Sequence, residues 1–122
     1  MEFGVGIHGE PGRRRDKLRS ANEIAEEICT AIVHDLGDRA KGEALLFVNG
    51  FGGTPTLELY VMVHAALKVL NGAGVKVVRH LTGSYVTSLE MAGCSVTVTA
   101  VDASMLALWD APVHTPALRR GR

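Results

Sequence analysis

Residues 44 to 55 read ALLFVNGFGGTP and contain the strongest structural signals of the sequence. The continuous apolar run from Ala44 to Val48 is typical of a strand that is covered on both faces. The glycines that follow predict a tight turn. Thr54 and Pro55 are residue types that begin helices, as the N-cap and the first helical residue. The stretch therefore predicts a buried strand that passes through a glycine turn into a helix.

The helix predicted from Pro55 continues to about Leu70 and is apolar on almost all sides. A helix of this kind is buried on more than one side, so either the rest of the domain or a partner subunit covers it. After the glycines at 72 and 74, the stretch from Val75 to Leu81 predicts another strand. A strand, a helix and a strand in this order form a unit whose two strands are parallel.

Further elements are predicted on both sides of this unit. Ser20 and Glu23 match the capping box that begins a helix, and an apolar stripe at helical spacing continues to Leu36. Residues 95 to 101 alternate polar and apolar side chains, which is typical of a strand with one wet face. Asp102 is a candidate N-cap for a last short helix.

The predicted fold class is α/β, with two layers and a mixed β-sheet whose helices lie mainly on one face. At 122 residues the chain forms one domain, residues 1–122. A short strand over residues 2 to 8 precedes the first helix, and an extended tail follows Asp110. The arginine runs at 13–15 and 119–120 predict a solvated loop and a frayed tail.

Composition excludes several classes of protein. The 13 basic and 13 acidic residues give a formal charge of zero, so no nucleic acid and no anionic membrane is predicted as a partner. Cys29 and Cys94 lie far apart among apolar residues, which favours two buried, reduced thiols and a cytoplasmic protein. No apolar run reaches the about 18 residues of a membrane span, and residues 1 to 3 carry no signal-peptide pattern.

Two glycine-rich segments are candidate ligand sites. Gly4 to Gly9 matches the dinucleotide pattern GxGxxG, but no strand precedes it and Pro11 follows it, so its context argues against a nucleotide. Gly50 to Thr54 lies between a strand and a helix, where an anion can bind, although it lacks the lysine of a phosphate-binding loop. Two interpretations of this second loop stay open: an anion site, or a tight turn that lets the helix pack close to the sheet.

His8 is the candidate catalytic residue. The five histidines show no spacing typical of metal ligands, so no metal site is predicted. His34 and His64 are predicted on helix surfaces, and His80 in a strand as a core residue. Only His8 lies in a glycine-rich turn, where it can serve as acid, base, ligand or nucleophile. Glu10 either orients its ring or solvates the loop.

Four segments together resemble the dihydroxyacetone-binding domain of dihydroxyacetone kinases. In chain order they are GIHGEPG at 6–12, VNGFGGTP at 48–55, TSLEMAG at 87–93 and LALWDAPVHTPAL at 106–118. The resemblance runs nearly from end to end. It implies the C-terminal lobe of that domain and a role in glycerol metabolism, as part of a kinase that phosphorylates dihydroxyacetone (glycerone).

The resemblance also implies a chemical role for His8. In that family, the histidine of the first segment bonds through Nε2 to the carbonyl carbon of dihydroxyacetone and gives a covalent hemiaminal. A ketone can form this bond and an alcohol such as glycerol cannot. The bond holds the terminal hydroxyl in place for phosphoryl transfer, in which positioning supplies most of the catalysis.

Other parts implied by the resemblance have no counterpart in this chain. The family's N-terminal lobe supplies a further histidine and an aspartate that act on the substrate hydroxyls. The phosphoryl donor is either ATP or a phosphorylated carrier. The donor, and ATP or ADP with magnesium, are expected on a partner domain or subunit. This chain is expected to bind no cofactor, to be inactive alone and to form a homodimer. The alternative is a non-catalytic binding or dimerisation module in which His8 is idle.

Overall fold

The computed structural model describes residues 1–6 and 10–121. The elements in chain order are β1 (Glu2–Phe3), β2 (Arg14–Arg15), α1 (Ala21–Leu36), β3 (Glu43–Gly50), α2 (Thr56–Gly72), β4 (Lys76–Gly83), β5 (Cys94–Val101), α3 (Ala103–Asp110), β6 (Val113–His114) and β7 (Arg119–Arg120). A 3-10 helix, Gly37–Lys41, links α1 to β3. Each long helix and strand predicted from the sequence is therefore present.

A three-stranded mixed sheet in the order β4-β3-β5 forms the centre of the fold. The first residue of β3, Glu43, pairs with Lys76 in a parallel ladder and with Val101 in an antiparallel one. The parallel pairing of β3 with β4 confirms the predicted unit of strand, helix and strand. The fold class is the predicted one, because α1 and α2 pack together on this mixed sheet.

The core lies between β3 and the two helices. Alternate residues of β3, namely Ala44, Leu46 and Val48, point to the helices and are almost fully buried. They pack with Leu59 and Leu70 of α2 in one continuous apolar cluster. Because β3 has a neighbour on each side, its side chains are the best shielded of the sheet, as its apolar sequence predicts.

The capping box predicted at the start of α1 is present. The Ser20 hydroxyl accepts a hydrogen bond from the Glu23 backbone N–H at 3.3 Å, and the Glu23 carboxylate accepts one from the Ser20 N–H at 3.0 Å. The Ser20 hydroxyl also donates to that carboxylate and lowers the pKa of Glu23. The helix ends at Leu36, and Gly37 follows with a φ of 55°.

Both cysteines are free thiols, and the apolar core holds Cys29 more deeply than Cys94. Cys29 lies fully buried on α1, and burial raises the pKa of its thiol to about 11. Cys94, at the first position of β5, is half-buried, and burial also raises its pKa. The prediction of two buried thiols is therefore correct for Cys29 and only partly correct for Cys94.

The domain does not cover α2 on all sides. Leu59, Met62, Val63 and Leu70 are buried, whereas Leu57 is 77% exposed and Tyr60 and Val61 are each 50% exposed.

The helix begins at Thr56 with Pro55 as its N-cap, so the prediction of Thr54 as the cap is wrong. The reason is that the Thr54 side chain is bonded to another segment of the chain.

Near each end of the chain, the structure has a short hairpin that was not predicted. The strand expected over residues 2 to 8 is limited to β1, which pairs with β2 in a short antiparallel hairpin. Residues 7 to 9 lie outside the described part of the chain.

The predicted tail contains a second hairpin, formed by β6 and β7. The Arg120 guanidinium of this hairpin lies 5.0 Å from the Trp109 ring centroid. The prediction of a frayed tail is wrong, because strand pairing and a cation–π contact order these arginines.

The described histidines outside the N-terminal turn are exposed. His34 and His64 lie on helix surfaces, as predicted, and His114 is exposed on β6. The prediction that His80 is a core residue is wrong. It lies on β4, an edge strand of the sheet, and the helices leave it exposed. Within residues 1–6 and 10–121, none of the helices is both long enough and apolar enough to cross a membrane.

Two leucines, one buried and one exposed, test this account of the core. Replacing Leu59 of α2, which is fully buried, by alanine should lower the free energy of unfolding by about 2 to 5 kcal/mol, because it leaves a cavity. Leu108→Ala on α3, where the leucine is 77% exposed, is the matched control and should change it by less than about 0.5 kcal/mol. Urea unfolding measures both. Equal losses in the two variants would contradict the assignment of the buried face.

Candidate functional site

His8 itself lies outside the described residues, but the structure describes both flanks of its turn. The Arg13 N–H donates to the Phe3 carbonyl at 2.7 Å, and the Gly6 N–H donates to the Glu10 carbonyl at 3.3 Å. A Cβ atom placed on Gly6 would lie 1.8 Å from the Glu10 carboxylate. A side chain at residue 6 would therefore force the Glu10 side chain to move. Whether Glu10 orients the His8 ring stays a prediction.

A cluster of four side chains fixes the base of this turn on α1. We call Phe3, Arg14, Arg19 and Glu27 the Phe3 cluster. The Phe3 side chain is 7% exposed, and the guanidinium carbons of both arginines lie 4.9 Å from its ring centroid. Glu27 of α1 accepts hydrogen bonds from both arginines, at 2.7 Å from Arg14. The Arg14 guanidinium, with that of Arg19, lowers the pKa of Glu27.

The second place of interest is the glycine junction, which comprises residues 49–54 and 84–93. Here the loop between β3 and α2 meets the connector between β4 and β5. The Phe51 N–H donates to the Gly93 carbonyl at 3.1 Å, and the Gly53 N–H donates to the Met91 carbonyl at 3.0 Å. The Ser88 N–H donates to the Phe51 carbonyl at 3.0 Å. Backbone bonds thus join the second and third of the four motif segments.

Close backbone contact explains the glycines of the junction. A Cβ atom on Gly52, whose φ is 119°, would lie 2.3 Å from the Leu89 carbonyl oxygen. A Cβ atom on Gly53 would lie 2.4 Å from the Glu90 carbonyl oxygen, and one on Gly50 would lie 2.9 Å from the Leu59 side chain on α2. The structure thus favours the tight-turn interpretation. It does not favour the anion site, because the N–H groups of Phe51 and Gly53 are already bonded.

Thr54 closes the junction from the helix side. Its hydroxyl donates to the Gly93 carbonyl at 3.0 Å and accepts from the Gly93 N–H at 2.8 Å. One side chain therefore satisfies both backbone groups of a residue 39 positions away. This pairing accounts for a threonine in the motif that does not cap the helix.

Asn49 orders the other end of the connector. The residue is 2% exposed, and within the described residues it is the one polar side chain in the buried class. Its Oδ1 accepts hydrogen bonds from the N–H groups of Tyr85 and Val86, each at 2.9 Å, and its Nδ2 donates to the Val86 carbonyl at 2.7 Å. The side-chain amide therefore satisfies the backbone groups of the connector just beyond the end of β4, as a neighbouring strand would.

The fourth motif segment is attached separately from the junction. It covers residues 106–110 of α3 and the strand β6, which pairs with β7. Arg79 of β4 donates two hydrogen bonds to the Asp110 carboxylate, at 3.0 and 2.8 Å, which ties the end of α3 to the sheet. The structure thus brings the second and third segments into direct contact and attaches the fourth to the sheet separately.

Sequence reasoning missed the Phe3 cluster and the role of Asn49. Arginines 13–15 are exposed, as expected, but Arg14 belongs to the strand β2 and to the cluster instead of to a loop. The available signal was an isolated aromatic residue, Phe3, near several arginines. For Asn49, the signal was an amide at the end of a buried strand, where it must find partners.

Residues 1–6 and 10–121 contain no group of three or more histidine, cysteine, aspartate or glutamate side chains that could hold a metal ion.

Comparison with known proteins identifies the family. The Dak1 domain model matches residues 1–117. The dihydroxyacetone-binding subunit DhaK of the PEP-dependent dihydroxyacetone kinase of Escherichia coli is 37% identical, over 100% of this chain and 41% of the relative. The L-erythrulose 1-kinase of Mycolicibacterium smegmatis is 39% identical, over 99% of this chain and 22% of the relative. The chain thus spans about two fifths or less of the length of these relatives.

A solved structure has the same fold. It is described as the dihydroxyacetone kinase operon co-activator Dha-DhaQ and superimposes with a TM-score of 0.83 at 32% identity, over 91% of this chain and 35% of that chain. The matches in sequence and in fold agree with the four motif segments. The chain belongs to the Dak1 domain family, the family of the dihydroxyacetone-binding subunits of dihydroxyacetone kinases.

Proposed function

We propose that this chain is part of the substrate-binding subunit of a dihydroxyacetone kinase and that His8 holds dihydroxyacetone as a covalent hemiaminal. The observation that carries the proposal is the family match over residues 1–117, which includes the intact segment GIHGEPG at 6–12. The reaction class is phosphoryl transfer to a terminal hydroxyl of the ketone. His8 is the catalytic and substrate-binding residue.

The proposed step is a reversible addition. The lone pair of the neutral His8 Nε2 forms a bond to the carbonyl carbon, and the π electrons of the C=O bond move to the oxygen. That oxygen gains a proton while the ring loses the proton on Nδ1, so the adduct is neutral and no proton is gained overall. Near neutral pH, an imidazole of ordinary pKa, about 6.5, is largely in the neutral form that this step needs.

The phosphoryl donor must come from outside these residues. The glycine junction lacks a lysine, and the N–H groups of Phe51 and Gly53 are bonded to the connector, so the loop does not fit a phosphate cradle. We therefore propose that ATP or ADP with magnesium, or a phosphorylated carrier, binds to a partner subunit. The isolated chain is then inactive, because a second lobe of the subunit completes the pocket. We expect the complete subunit in the cytoplasm.

The second candidate function is a non-catalytic binding module. One observation favours it: the solved relative of TM-score 0.83 is described as an operon co-activator and not as a kinase. Because one fold can carry both roles, the fold does not decide between them. What decides between them is whether His8 forms a bond to the substrate.

A direct test of the proposal follows the carbonyl carbon. Dihydroxyacetone labelled with carbon-13 at that carbon is added in excess to the assembled two-lobed subunit, in which the 122-residue chain is labelled with nitrogen-15 in histidine. We expect the carbon to become sp3 and to show a one-bond coupling to a ring nitrogen, which the hydrate of the free ketone cannot give. NMR spectroscopy detects this coupling.

The control is a second histidine. His8→Ala should abolish the coupling, and His34→Ala, which removes an exposed histidine from α1, should keep it. Glycerol should give no adduct with any of the three proteins. An unmodified ketone carbon in the wild-type chain would contradict the hemiaminal and favour the non-catalytic module.

We further propose that the chain forms a homodimer through the exposed face of α2. Leu57, Tyr60 and Val61 are spaced three and four residues apart, so they lie on one face of the helix. Glu58 lies in the first turn of this helix, and His64 lies at its middle. When two copies of α2 cross antiparallel near Val61, each Glu58 approaches the second copy's His64. The two helix dipoles then point in opposite directions, which favours the pairing.

The dimer prediction has a closely matched control. Leu57→Asp should shift the chain to a monomer, because it places a charge in the contact. Leu108→Asp on α3, where the leucine is also 77% exposed, should leave the dimer intact. Two helices alone bury less than the about 1,200 Å² of a standard interface, so we expect a dissociation constant in about the micromolar range. Sedimentation velocity measures it, and equal behaviour of the two variants would contradict this face.

A further inference from the structure

The turn that carries His8 begins and ends at one short hairpin. Residues 4–13 leave β1 and return at β2, where Phe3 pairs with Arg14. The Asp16 N–H donates to the Met1 carbonyl at 2.9 Å, which adds a further bond. A hairpin of two residues a side is only marginally stable by itself, so its position depends on what it packs against.

Helix α1 supplies that support through one carboxylate. Arg14 donates to the Glu27 Oε2 at 2.7 Å, and Arg19 donates to the same oxygen. Arg19 lies directly before the capping residue Ser20, so it belongs to the rigid start of the helix. The side chains of Arg19 and Glu27 are about one-third exposed or less, which makes this pair stronger than an open surface ion pair.

We propose that Glu27 is a positioning residue for His8. Its carboxylate holds the two guanidinium groups against Phe3 and thereby fixes the base of the turn on α1. This inference rests on the proposed function, since it assumes that His8 reacts with the substrate. Glu27 has no contact with the substrate in this scheme and acts only through the hairpin.

The geometry makes the carboxylate difficult to replace. One oxygen serves two arginines whose guanidinium carbons both lie 4.9 Å from the same ring centroid. Asp16, the other carboxylate near them, lies farther away, at 3.6 Å from Arg14 and 3.7 Å from Arg19. Without the charge of Glu27, the two like-charged groups repel each other with less compensation, and the hairpin is free to shift on the helix.

Two neighbouring glutamates give the test a matched pair. Glu27→Gln keeps the shape and removes the charge, whereas Glu26→Gln makes the same change one residue earlier, at an exposed position outside the cluster. We expect Glu27→Gln to weaken the apparent affinity for carbonyl-labelled dihydroxyacetone by about tenfold, the effect of one charge-assisted contact. Glu26→Gln should stay within twofold of wild type.

A spectroscopic measurement separates positioning from general stability. In the free chain, the backbone amide signals of Gly6 and Glu10 and the ring nitrogens of His8 should shift in Glu27→Gln and not in Glu26→Gln, while those of Leu46 in the core stay unchanged. Glu27→Asp, which keeps the charge, should restore part of the affinity. Unchanged signals at Gly6, Glu10 and His8 in Glu27→Gln, or an affinity within twofold of wild type, would overturn the inference.

The outcome is distinct from failure of the proposed function. If the wild-type chain forms no adduct, the chemistry assigned to His8 is wrong. The amide shifts of Gly6 and Glu10 still report whether Glu27 sets the position of the turn, because they need no substrate.

Discussion

An amide side chain that is buried away from water must find hydrogen-bond partners, because an unpaired polar group costs about 1 to 3 kcal/mol. Asn49 meets this requirement through three bonds to the backbone of Tyr85 and Val86. The connector between β4 and β5 must therefore pass over the end of β3. The close approach at Gly52 and Gly53 and the two bonds from Thr54 follow from that course.

The arrangement places the motif residues at one end of the sheet. β3 and β4 are parallel, so both end at the same edge, and the glycine junction lies where β3 ends. In open α/β sheets, ligands bind beyond the carboxyl ends of the strands, which agrees with the presence of two family motifs there. The described residues of the junction bond mainly to one another. These bonds are those of a scaffold, in line with our proposal that the substrate chemistry belongs to His8.

The sequence was sufficient to predict the layers and most of the long elements. The apolar run at residues 44–48, the capping box at Ser20 and the alternation at residues 95–101 are local signals, and local geometry produces them. The sequence could not predict that Thr54 would bond to Gly93, because the two residues are far apart in the chain and a threonine before a proline is also an ordinary helix start. The N-cap was misplaced for this reason.

The remaining errors also depend on tertiary structure. Periodicity predicts that His80 lies in a strand, but not that the strand is an edge which the helices leave exposed. Charge runs are usually solvated, yet Arg14 and Arg120 lie against the rings of Phe3 and Trp109. For the site, the resemblance indicated His8. The support from Glu27 became visible only when the hairpin and α1 were seen in contact.

The most direct test of the central claim is hydrogen exchange at the connector. We compare Asn49→Ala with Asn71→Ala, which removes an exposed amide at the end of α2. The account predicts that Asn49→Ala speeds exchange of the Tyr85, Val86 and Gly93 amides about tenfold to hundredfold, while the Leu46 amide changes much less. Exchange at the connector that is equally slow in both variants would contradict the claim that this one buried side chain orders the junction.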